Sequence, residues 1–181
     1  MAYRLKKTVV MVGMMGAGKT AVGTALARLL NVPFRDSDAA IEQAANMSIA
    51  EIFARDGEAF FRRKESQVIE RLLSAPPGVL STGGGAFLAA DNRNMISERG
   101  VAVWLKADLD LLWTRVRHKQ TRPLLQTRDP LGTLRRLLET RTPAYAEADL
   151  TVEAEHGLPV DDMAARVAEA LATRPDVLEI S

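Results

Sequence analysis

The chain has 181 residues, is 47% hydrophobic and 26% charged, and carries a formal net charge of +1 with no cysteine. That length fits one domain over residues 1–181 with a full buried core. The near-neutral charge gives no bulk attraction to nucleic acid or membrane, and the missing thiols exclude disulfides and thiolate metal sites.

In chain order, MAYRLKKTVVMVG has a basic start and a short apolar run, too short for a signal peptide and without its cleavage site. No stretch approaches the roughly 20 apolar residues of a membrane span, so a cytoplasmic protein is expected. Thr8–Val12 is the first of five apolar runs that predict strands; the others are Val32–Arg35, Val79–Ser81, Val101–Leu105 and Leu150–Val152. TVVMV, VPF and VAVWL lack polar alternation, which suits parallel strands covered on both faces. Helical patterns lie between them. Val22, Leu26 and Leu29 share a face, and Asn31 can end that helix. Ser48 and Glu51 form a capping box before Ile52, and Gly57 supplies a stop. Phe61, Val68 and Leu72 share the next face. Pro159 and Asp161–Asp162 open a helix carrying Met163, Val167 and Leu171. Strand–helix alternation predicts an α/β fold, three layers αβα around an open five-stranded parallel sheet. Ligands of such sheets sit at the carboxyl ends of the strands. The polar, Pro-containing segment 117–130 reads as a mobile loop, and 174–181 as a loose tail.

Residues 13–20, GMMGAGKT, match GxxxxGK[ST] in full, between a predicted buried strand and an amphipathic helix. Gly13, Gly16, Ala17 and Gly18 supply inward backbone N–H groups, and the following helix adds its positive dipole end. Lys19 is expected on the β- and γ-phosphates and Thr20 on Mg²⁺. The motif therefore predicts a nucleoside triphosphate with Mg²⁺.

Asp36 and Asp38 close the second predicted strand. At i and i+2 in extended chain they share a face, suited to a cation or a polyol; the plainer alternative has Asp38 capping a helix that starts at Ala39. Gly83, Gly84 and Gly85 follow the strand VLST and mark either a sharp turn or close backbone approach to a ligand. Arg62, in FFRRKE, reads as a ligand group or a solvated charge. Arg122 reads as a loop charge or a group that closes over phosphates. Arg141 reads as a last-turn cation in a helix that Pro143 interrupts. Two unclustered histidines, His118 and His156, support no zinc site.

GMMGAGKT, DSD, SIAEIF with GEAFFRRKE, STGGGA, RPLL and the arginine of ETRTPAY, in this order and spacing, resemble the shikimate kinase family from about Lys7 to Leu171. The resemblance implies a P-loop fold of the nucleoside-monophosphate-kinase type with a lid at about 115–130. It implies ATP- and Mg²⁺-dependent phosphorylation of the shikimate 3-hydroxyl, in chorismate and aromatic amino-acid biosynthesis. By position, Asp38 is similar to the family's aspartate that binds substrate hydroxyls, and Asp36 to its acidic residue near Mg²⁺. Arg62 and Arg141 match the carboxylate-binding arginines, and Gly83–Gly85 the substrate-contacting backbone. Arg122 resembles the lid arginine on the phosphates, and Arg115 one near adenine. The loop after Leu150 and the residues around His118 depart from the pattern. A monomer without nucleic-acid or membrane partners is expected. A gluconate-kinase-like enzyme and a nucleotide-dependent switch are the other readings; no guanine-reading NKxD motif supports the switch.

Overall fold

The computed structural model describes residues 2–117 and 125–181. Its frame is a five-stranded parallel sheet built from β2 (Thr8–Val12), β3 (Phe34–Asp36), β4 (Val79–Ser81), β5 (Gly100–Lys106) and β6 (Leu150–Glu153). The order across the sheet is β3-β4-β2-β5-β6. β2 is central, pairing with β4 on one side and β5 on the other. Every residue of β2 is buried, as expected for a parallel strand with helices on both faces.

The chain lays β3 and β4 to one side of β2 and then β5 and β6 to the other. The loop after β2 therefore lies where the winding reverses, the usual ligand position in such sheets. Helix α1 (Lys19–Leu30) leaves that loop and ends at Asn31 in the left-handed conformation (φ 57°), as its sequence predicts. Helix α2 (Ser37–Ala45) follows β3 directly. Helix α3 (Ile49–Leu73) opens on the Ser48/Glu51 capping box and breaks at Gly57, whose φ is 85°. Helices α4 (Ala90–Arg99), α5 (Leu109–Val116), α6 (Pro130–Tyr145) and α7 (Val160–Ala172) complete the layers. Among the described residues no helix is long and apolar enough to cross a membrane.

The core is divided. A large cluster surrounds the sheet. A small separate cluster, Ile41, Ile52, Phe61 and Val68, joins α2 to α3.

Two expectations are corrected, and a third falls largely outside the described residues. Residues 174–181 are not a loose tail. Leu178–Ile180 (β7) pairs antiparallel with Tyr3–Leu5 (β1), and Val177 and Leu178 are buried. The aliphatic pair VL packs into the main core, and Lys6 pairs with Glu179 at its edge. Pro143 does not interrupt α6, which runs on to Tyr145 with the proline inside. Only the last turn loses a backbone donor there, and Thr142 Oγ1 donates to the Leu138 carbonyl in the same turn. The expected lid, 115–130, begins inside α5 and ends at the first residue of α6; Arg122 and His118 lie outside the described residues.

The packed C-terminus makes a measurable difference. Leu178→Ala is expected to cost about 2–4 kcal/mol, several degrees of Tm. Ile180→Ala, at 46% exposure, should cost under about 0.5 kcal/mol. Equally small losses by calorimetry would return the segment to a loose tail.

Candidate active site

A cavity of about 630 Å³ opens at the carboxyl edge of the sheet, lined by residues 14–22, Asp36, Asp38, residues 81–84 and Arg115, with Leu158, Val160 and Met163 among the remaining residues of its wall. One side is the loop after β2. Gly16 (φ 83°) and Gly18 (φ 97°) hold conformations that side chains rarely adopt, and a Cβ on Gly16 would stand 2.6 Å from Val116 Cγ1. Gly18 is the N-cap of α1, so the helix directs its unpaired N–H groups at this loop. The Lys19 ammonium donates to the Gly13 carbonyl. Arg115 reaches from α5 and donates to the Gly16 and Ala17 carbonyls at 3.0 and 2.9 Å. It thus braces the loop from the cavity wall, a role the sequence did not suggest.

The cradle fits a phosphate chain: curled backbone, a helix N-terminus and Lys19 converge on a cavity left open among the described residues. For Mg²⁺, Thr20 and Asp36 line the same cavity. Among the described residues no cluster of three or more acidic or histidine side chains could hold a metal ion. That donor set fits an ion that takes few protein ligands and shares the rest with phosphates and water.

The opposite side is the glycine run after β4, where absence of side chains brings three distant residues together. A Cβ on Gly83 would sit 2.8 Å from Asp38 Oδ1, on Gly84 2.9 Å from Arg141 Nη1, and on Gly85 2.5 Å from Arg62 Nη2. Each glycine admits one charged group, from α2, α6 and α3 respectively. The run is therefore a floor for close approach, beyond a plain turn.

Asp36 and Asp38 reach the cavity differently from the extended-chain expectation. The strand stops at Asp36, whose Oδ1 accepts the Ala39 N–H at 3.1 Å and caps α2. The cap is thus Asp36, not Asp38, and the helix begins at Ser37. Asp38 sits in the first helical turn. Burial, reinforced by the Asp36 charge, raises its pKa above the ordinary 3.8, while Lys19 and Arg62 pull the other way.

Two residues missed in the sequence complete the floor. Glu65, 1% exposed, accepts from Arg62 Nη1 at 2.9 Å; burial raises its pKa and the bond to Arg62 opposes that. The i, i+3 spacing within RRKE was the available signal. Tyr145 is fully buried, and its hydroxyl donates to the Gly84 carbonyl at 2.5 Å. Arg141, 8% exposed, lies one turn earlier on α6. His156 contacts Asp108 at 3.4 Å on the surface.

A family model described as shikimate kinase matches residues 15–172. A shikimate kinase of Cereibacter sphaeroides is 74% identical over 97% of this chain and 88% of its own length. One of Ruegeria pomeroyi is 69% identical over 99% of this chain and 92% of its own. The solved shikimate kinase from Acinetobacter baumannii in complex with shikimate superposes with a TM-score of 0.86 at 39% identity, covering 92% of this chain and 93% of that one.

The raised pKa of Asp38 has a sign that can be checked. The folded state holds this proton more tightly than the unfolded chain. Stability from the group is therefore full below pH 3.8 and is lost as pH rises through the raised value. Asp38→Asn should therefore raise Tm at pH 7. The gain should vanish below pH 3.8. A variant less stable than the parent at pH 7 would show that Asp38 is held by its cations more strongly than it is penalised.

Proposed function

The chain belongs to the shikimate kinase family, and from that premise we propose how its residues divide the work of phosphorylating the 3-hydroxyl of shikimate. The reaction is the family's: ATP-dependent transfer of phosphate to a hydroxyl group, with Mg²⁺. The observation that carries the residue assignment is the glycine floor, which admits a carboxylate and two guanidinium groups along one run, its Gly83, Gly84 and Asp38 lining the same cavity as the phosphate loop.

Shikimate is a cyclic triol carboxylate. Arg62 and Arg141 offer planar forks that match a carboxylate in two bonds each. Glu65 holds Arg62 from behind, so the fork is positioned before the acceptor arrives. Gly83–Gly85 let the ring approach main chain. Asp38, at the other end of the floor, accepts the hydrogen bond of the reacting hydroxyl and takes its proton. Its raised pKa brings it closer to the range in which a carboxylate is an effective base. The hydroxyl oxygen forms the new bond to phosphorus as the bond to the leaving diphosphate breaks. The backbone of residues 13–18 with Lys19 holds the donor's phosphates and spreads the charge that moves to the leaving oxygen. Thr20 and Asp36 would hold Mg²⁺, which neutralises phosphate charge when bound. Arg115, by bracing the loop, stands beside the space for the nucleoside.

Arg122 enters as a lid cation, by the family's pattern. Residues 1–181 are read as one kinase unit working as a cytoplasmic monomer; the absence of cysteine and the +1 charge are compatible with that setting.

A coupled assay across shikimate, gluconate and nucleoside monophosphates tests the assignment of acceptor. ADP release should depend on shikimate, and no turnover with it would sink the reading. Within the site, Lys19→Ala should lower turnover by orders of magnitude while far-UV CD stays unchanged. Arg62→Ala should chiefly raise the shikimate KM, because it contacts a group that does not react. Asp38→Asn should act on kcat; an effect on ATP affinity alone would assign Asp38 to the other ligand.

A further inference from the structure

Tyr145 is the largest fully buried side chain of the core. Its ring lies 6.0 Å from that of Trp104, a packing role that a phenylalanine would fill equally well. The hydroxyl needs a separate reason, since a buried O–H costs free energy unless it is hydrogen-bonded. Its acceptor is not a neighbour in the helix but the Gly84 carbonyl, 61 residues away in sequence. Gly84 is also the residue pressed against Arg141 Nη1. Arg141 and Tyr145 are one helical turn apart on α6, so both address the same peptide from the same face.

We propose that Tyr145 is a positioning residue for the acceptor carboxylate: by donating its hydroxyl to the Gly84 carbonyl it ties the glycine floor to the helix that carries Arg141. The inference rests on the reading of Arg141 as a carboxylate ligand. The peptide after Gly84 is planar and trans, so pinning this carbonyl toward α6 also turns the Gly85 N–H away from it. A run of three glycines has no side chains of its own to hold such an orientation. The Tyr145 bond supplies it and fixes the separation between floor and fork. Burial raises the phenol's pKa, with Arg141 opposing, so the proton stays on the hydroxyl and the donor role persists at neutral pH.

Tyr145→Phe removes only the oxygen and keeps the ring. The shikimate KM should rise roughly 5–30-fold, the range for losing one hydrogen bond that positions a charged group, while kcat and the ATP KM stay within about twofold. With the carboxamide analogue of shikimate, which cannot form a charged pair with Arg141, parent and variant should converge. Amide hydrogen exchange over residues 82–86 should quicken in the variant with no substrate present. An unchanged shikimate KM, or an equal rise for shikimate and ATP, would reduce Tyr145 to a packing residue. The exchange readout stands apart from activity: should the parent enzyme fail to turn over shikimate, the functional reading falls, and unchanged exchange in the variant would overturn the positioning role separately.

Discussion

The site depends on what residues 83–85 lack. Asp38, Arg141 and Arg62 belong to three helices that have no reason to meet except over this run. Each guanidinium or carboxylate occupies space that a Cβ would take, at approaches of 2.5–2.9 Å. Moving one neighbour by a side chain's width would break the fork-and-carboxylate row, and close packing offers little room to accommodate it. The run stands at the end of β4, and β4 is held at both edges, by β3 and β2. The floor is therefore rigid at its root, although its own residues are permissive.

The charges over this floor are arranged against one another. Asp36 and Asp38 repel, and Lys19 and Arg62 partly offset the cost. Glu65 places a further buried carboxylate next to Arg62. An ion pair with one buried partner is weak evidence for stability, because desolvation of the carboxylate consumes much of the attraction. Its value lies in geometry: Glu65 and Glu58 hold the guanidinium so that its Nη groups lie against Gly85. Stability and function pull in opposite directions here, as they commonly do where a site concentrates like charges.

The floor also spans the division in the core. Asp38 and Arg62 ride on α2 and α3, which share the small cluster of Ile41, Ile52, Phe61 and Val68. Gly83–Gly85 and Arg141 belong to elements of the main cluster, through Phe87, Leu134 and Tyr145. The acceptor space is thus walled by elements of both clusters, and the phosphate loop packs on the larger. Helix α3 runs through both clusters: Ile52, Phe61 and Val68 lie in the small one, Ile69 and Leu73 in the large one, and Leu72 packs against both.

Sequence legibility followed the range of the interactions. The Ser48/Glu51 box and the Asn31 terminus are set by contacts within four residues, and the phosphate loop by a short motif of its own, so each was readable from its own letters. The inner strands β2, β4 and β5 were readable because burial on both faces leaves a largely apolar run, whereas the edge strands β3 (FRD) and β6 (LTVE) are only partly buried and carry charged letters. The failures are cases where a distant partner decided. VLEI carries a strand's apolar letters, but only the N-terminal strand far away in sequence gives it something to pair with. Asp36 and Asp38 were placed on one face by assuming that the strand continued, and a cap formed at Asp36 ended it two residues early. Pro143 is a helix breaker in a local reading, yet packing of Tyr145 and Arg141 carries the last turn past it. Glu65 and Tyr145 carry no motif of their own. Their meaning comes entirely from Arg62 and Gly84, so a site built by meeting rather than by adjacency shows its first contacts in sequence and conceals the groups that hold them.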